Sequence, residues 1–158
     1  AQSFEAFEKL LKDLVFFKIQ TDTNFRQGLK PNKDYSRDKL SGGDEIFKLI
    51  KKACGKEFTK CSKQNNNNFK FSEFFKIILE VRHSVVHSQG KLKTSKIPKD
   101  KYYKSLFEHL LPLNRLENDV IELKFNYKLL DKLLIYLSEF GFQFFKILSK
   151  IDNYEWKI

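Results

Sequence analysis

The chain is poor in several residue types that usually announce a function. Its 158 residues contain no Met, one Trp, two Cys, three His and three Pro. Either the initiating Met is gone or the sequence is a piece of a longer protein. Cys54 and Cys61 do not form a Cys-x-x-Cys pair, and no His stands at zinc-ligand spacing from them, so no metal and no cofactor is expected. Two thiols in an otherwise ordinary chain fit a reducing, cytoplasmic setting, with a single disulfide as the alternative. Apolar runs are short: Leu133 to Leu137 is among the longest. A bilayer span needs roughly 20 such residues, so no membrane-crossing segment is expected. Residues 1–17 carry Glu5, Glu8, Lys9, Lys12 and Asp13 at helical intervals and predict an amphipathic helix rather than a signal peptide. A phosphate-cradling glycine loop is missing, since Gly42-Gly43 is too little, and no Ser/His/Asp arrangement is present.

What the chain has in plenty is Phe, 17 residues of it, and positive charge, 30 basic side chains against 20 acidic for a net +10. The apolar content is ample for one packed domain over residues 1–158. The charge favours polyanionic partners such as nucleic acid. Of the basic residues 26 are Lys and only Arg26, Arg37, Arg82 and Arg115 are Arg. Abundant Lys, Asn, Ile and Phe also follow from an AT-rich genome, so the charge permits nucleic acid without demonstrating it.

Periodicity predicts mostly helices. Ser3 is a candidate N-cap for a first helix in which Phe4, Phe7, Leu11, Leu14 and Lys18 trace a stripe ending near Gln20. Residues 21–43 read as a long polar connection. A second helix spans Glu45 to Ala53 with Gly55 as its stop, and residues 56–70, including the run Asn65 to Asn68, read as a loop. Ser72 opens a third helix reaching His87, ended by Ser88, Gln89 and Gly90. A lysine-rich segment follows, then a helix from Tyr102 to Leu111. Ile121, Leu123 and Phe125 alternate with charged residues like half of a hairpin. Asn126 caps the strongest helix, Tyr127 to Ser149, which is apolar on nearly every face and is interrupted by Gly141. The expected fold class is all-α, an up-and-down bundle of four to five helices with room for a short β-hairpin around residues 105–125.

The informative stretch is Phe71 to Gly90. On a wheel of about 100° per residue, Phe71, Phe75, Ile78, Leu79, Val85 and Val86 share one direction, and Arg82 falls in the middle of it. Burying a guanidinium is costly unless it meets an anion. His83 follows at once, and His87 lies five positions on, about 140° around a straight helix from Arg82. Loosening of the helix end would let the two meet on one phosphate. So would a two-fold axis that brings a second copy of the helix alongside. The plain alternative is a salt-bridged Arg and ordinary surface histidines near Glu73 and Glu80.

Arg82-His83-Ser84-Val85-Val86-His87 resembles the signature of the HEPN superfamily: an Arg, a polar residue, three variable residues, then His. The resemblance implies a small helical domain that dimerises, with a metal-independent endoribonuclease site at the dimer cleft and a role as a toxin or anti-phage defence effector. It makes Arg82 and His87 the catalytic pair and His83 the variable polar residue. It also suggests an antitoxin or a further effector domain as partner. In one subgroup a Tyr that becomes modified follows the His by two residues; here Gln89 stands there, so that regulation is not expected.

The chemistry these side chains suit is attack of an RNA 2′-hydroxyl on its own phosphate, giving a 2′,3′-cyclic phosphate and a free 5′-hydroxyl. An imidazole, titrating near pH 6.5 when unperturbed, moves the proton. A guanidinium steadies the phosphorane with preorganised donors. His83 would orient or touch phosphate, and Lys91, Lys93 and Lys96 would track the RNA backbone. Two other classes fit: a silent RNA-binding or dimerisation module, and a helical protein–protein adaptor in which Arg82 makes an interface salt bridge.

Overall fold

In the computed structural model, residues 2–65, 67–97, 99–116 and 118–154 are described. Asn66 of the expected asparagine loop and Pro98 of the lysine-rich segment lie outside them. The chain is mostly helical, with six α-helices and one three-stranded antiparallel sheet among the described residues. It divides into two compact units: Ser62–Tyr136 forms one, and Gln2–Cys61 with the stretch from Leu137 onward forms the other.

The unit that holds residues 2–61 begins with α1 (Gln2–Thr21), whose Phe4, Phe7, Leu11, Val15 and Ile19 are buried. These spacings of three and four keep one face apolar. Lys18 lies on that face and is only 3% exposed. Its ammonium pairs with Asp22 at 2.8 Å and with Asp152 beyond the last helix. Burial penalises the charge, but the two carboxylates outweigh it and hold the Lys18 pKa above the ordinary lysine value near 10.5. The hydrogen bond from Lys18 holds Asp22 below the ordinary 3.8. The sign follows from linkage. The lysine contribution is full below about pH 10.5 and is lost as pH rises through the higher folded value. The Asp22 contribution is full above about pH 4 and is lost as pH falls through the lower folded value. Lys18→Met should therefore melt earlier than the parent at pH 7, by up to about 3 kcal/mol, since one partner of a shielded pair is removed while the carboxylates keep some solvent. The gap should narrow as urea melts are repeated below pH 4.

A short helix α2 (Thr23–Gln27), whose N-cap Asp22 accepts from the Phe25 N–H at 2.8 Å, and a 3-10 turn at Arg37–Lys39 lie in the polar connection. Helix α3 (Asp44–Lys63) corrects the sequence expectation. Gly55 does not end the helix; it kinks it, at φ 54° and ψ −132°, and helical turns resume to Lys63. The reason is Phe58, which stacks on Phe144 at 5.8 Å and meets Phe47 edge-on at 5.6 Å, so its burial draws the second segment inward. An L-residue is strained in that conformation although a Cβ would meet nothing within 4 Å. Gly55→Ala should cost about 1–3 kcal/mol through backbone strain alone, read as a lower urea midpoint. Cys54 and Cys61 both lie on this helix, and burial pushes Cys54 up to about 12, which leaves it protonated and inert.

In the other unit, α4 (Phe71–Ser88) buries Phe71, Phe74, Phe75, Ile77, Ile78, Val81 and Ser84. Helix α5 (Lys101–Leu110) is capped by Asp100, whose carboxylate accepts from the Tyr103 N–H at 2.8 Å. The sheet has the order β1-β3-β2, from Lys91–Lys93, Val120–Leu123 and Leu113–Arg115. The expected hairpin is β2–β3, and part of the lysine-rich segment forms a third strand, β1. Leu92 pairs with Ile121 and Leu113 with Leu123, while Lys91 and Asn114 both pair with Glu122. Period-two alternation thus puts Leu92, Ile121 and Leu123 inside. Helix α6 (Tyr127–Ile151) starts at the Asn126 cap, which accepts from the Leu129 N–H at 2.8 Å, and it runs through both units. In the second of them Gly141 permits close packing: a Cβ there would stand 2.8 Å from Leu10 Cδ2. Among the described residues no helix is long and apolar enough to cross a membrane.

Candidate nucleic-acid interface at the end of helix α4

The site is built by the end of one helix and the strand that follows it. Helix α4 stays α-helical through Ser88, then turns through Gln89 at φ 51° and Gly90 at φ 80°. Two successive left-handed residues reverse the chain, and the Gly90 N–H closes on the Ser84 carbonyl at 3.0 Å. The reversal leads directly into β1. Ser84, only 1% exposed, donates its hydroxyl to the Lys91 carbonyl at 3.1 Å. The Leu123 N–H donates to the Gly90 carbonyl at 2.9 Å, so β3 also ends against this turn.

On this frame Arg82 is half-buried, with Nε shielded from solvent. It lies at the flank of the packed arc, not in its middle as the helical wheel implied. The wheel was biased by Val85 and Val86, which are 41% and 50% exposed and do not belong to the core. The arc that packs is turned toward Phe74, Ile77, Val81 and Ser84. His83 and His87 are both exposed, on one face, with ring centroids 4.8 Å apart and planes inclined by 49°. The structure therefore brings the two imidazoles together. It keeps Arg82 and His87 about 140° apart around the helix, because α4 does not loosen before Ser88. Loosening of the helix end is thereby removed as a way to make them meet within one copy.

Lys91 and Lys93 project from the exposed side of β1, and Lys96 is exposed in the 3-10 turn Thr94–Lys96. Glu122 stands opposite Lys91 in register and receives the Asn114 amide at 3.5 Å. The sheet face is thus basic with one acid at its centre. Behind the site, Tyr103 is buried against α4; burial, with the negative charge of Glu80 added, pushes its hydroxyl up to about 12. It is a neutral packing group. No set of three or more His, Cys, Asp or Glu able to hold a metal ion occurs among the described residues.

Sequence reasoning missed Ser84. A small hydroxyl between Val81 and Val85 on an apolar face was the available signal, and its role is to tie strand β1 to the helix that bears the histidines.

No protein-family model matches the chain, and neither a curated protein nor a solved structure matches it.

Proposed function

We propose that the chain is a metal-independent endoribonuclease of HEPN type, built on an up-and-down helical bundle and acting as a toxin or defence effector. The observation that carries this reading is the last two turns of α4: two solvent-facing imidazoles, a half-buried guanidinium and, one turn later, a lysine-bearing strand. His87 takes or returns the proton as the 2′-hydroxyl attacks phosphorus and the 5′-oxygen leaves. Arg82 holds the equatorial oxygens of the phosphorane. His83 orients His87, and Lys91, Lys93 and Lys96 hold flanking phosphates. Because Arg82 and His87 diverge within one helix, the site is composite: Arg82 of one copy faces His87 of a second. The exposed Val85 and Val86 supply the apolar surface such a pairing would cover.

The same divergence favours a second reading, an RNA-binding module without catalysis. Incubating the purified chain with single-stranded RNA in EDTA separates the two. The nuclease reading expects fragments ending in 2′,3′-cyclic phosphate and 5′-hydroxyl, and no cut where the scissile nucleotide carries a 2′-deoxy sugar. Binding without fragments supports the module. Neither binding nor fragments supports the helical adaptor.

A further inference from the structure

Tyr127 is the first residue of α6 and is 86% exposed, more than any other large apolar side chain among the described residues. An aromatic ring left this far in water invites a functional explanation when its surroundings are charged. The Asn126 cap fixes the first turn of α6, so the ring stands on a rigid base. The chain that leads into it is tied to the candidate site. The Leu123 N–H donates to the Gly90 carbonyl, three residues past His87, and the Lys124 N–H approaches the Pro112 carbonyl at 3.4 Å. In this unit β1 carries exposed Lys91 and Lys93, the link into α6 carries Lys124 and the start of α6 carries Lys128 and Lys132, against the acids Asp119, Glu122 and Asp131.

We infer that Tyr127 is a base-stacking platform for single-stranded RNA, with Lys124 and Lys128 holding the backbone phosphates beside it. The inference rests on RNA being the ligand of the proposed site, and it adds a base contact that Arg82 and His87 do not supply. A ring stacks on any base without reading its edge, and flanking ammonium groups attract the polyanion, so such a contact grips RNA with little sequence preference. Leu130 and Leu134 are also exposed near Tyr127, whereas Lys128 and Lys132 stand about 100° and 140° from it around the helix. Lys124 and Lys128, the cations next to the ring along the chain, favour a polyanion there, and a second copy seated on the leucines is an outcome the test separates.

The test uses fluorescence anisotropy with a short 2′-O-methyl oligouridylate, which lacks the attacking hydroxyl, and an abasic oligomer of equal length. Tyr127→Ala should weaken binding of the oligouridylate roughly fivefold or more while leaving the abasic oligomer unchanged. Tyr127→Phe should bind like the parent. Equal binding of the oligouridylate by Tyr127→Ala and parent overturns the inference. So does failure of the parent to bind it at all, and so does a fall in oligomeric mass in Tyr127→Ala, which would assign the face to a second copy. Cleavage does not enter this readout. Loss of stacking in a chain that never cuts RNA would keep the inference and remove the nuclease, and cutting with no effect of Tyr127→Ala would do the reverse.

Discussion

His87→Ala should lower the rate of RNA cleavage by about 10²–10⁴, the range that a positioned acid or base contributes. The residue is exposed near the end of α4, so its removal should leave thermal unfolding unchanged and the loss can be read as chemistry. Arg82→Ala should cost about 10²–10³, the value of one preorganised donor to developing charge. Arg82→Lys keeps the charge but loses the planar fork, and should recover only part of that rate. The composite arrangement makes a sharper prediction. When the two inactive variants are mixed, about half of the dimers are heterodimers by statistics, and each has one of its two sites intact. Roughly a quarter of the parent activity should return. A site contained within one copy returns nothing on mixing, and a site needing both Arg and both His also stays silent. Activity with 2′-deoxy substrate, or an undiminished rate in the His87→Ala variant, would exclude the proposed chemistry outright.

The largest effect on stability is expected at Phe74. Its side chain is fully buried, 5.1 Å by centroid from Phe69 and 6.3 Å from Phe71, with Tyr136 edge-on at 5.8 Å. Phe74→Ala removes a ring from the middle of an aromatic cluster whose members come from α4, the loop before it and α6. Neighbouring rings collapse poorly into a hole of that shape, so the cost is the transfer term plus a cavity, about 3–5 kcal/mol. With a urea slope of about 2 kcal/mol per molar, the midpoint should fall by about 2 M. Phe74→Leu keeps much of the volume and should lose well under half as much. A midpoint unchanged in Phe74→Ala would mean that this cluster does not hold the unit together.

These two predictions differ in how much of them could be read beforehand. The helix that bears Phe74 and His87 was legible because its apolar positions recur every three to four residues and Gln89-Gly90 stops it. The arc of burial was not, since Val85 and Val86 look like core residues in a list of letters. Nothing local says that the helix end extends past the packed interior and leaves them in water. The β2–β3 strand signal was visible in the alternation of Ile121, Leu123 and Phe125 with charged residues. Strand β1 was not, because Lys91-Leu92-Lys93 gains its stability from hydrogen bonds to β3, some thirty positions away in the chain. Gly55 was seen as a helix stop, but the turns after it exist because Phe58 finds Phe144, a contact that local propensity cannot contain.

The sequence by itself determined the helical periodicities, the cap at Asn126, the excess of positive charge and the Arg82–His87 spacing, all properties of neighbours along the chain. Tertiary structure alone decided that Lys18 is shielded between Asp22 and Asp152, that Ser84 ties β1 to α4, that both imidazoles face solvent and that Tyr127 stands exposed beside lysines. Burial and pairing depend on which distant segments meet, and that is settled by the free energy of packing the whole unit rather than by any stretch of residues within it.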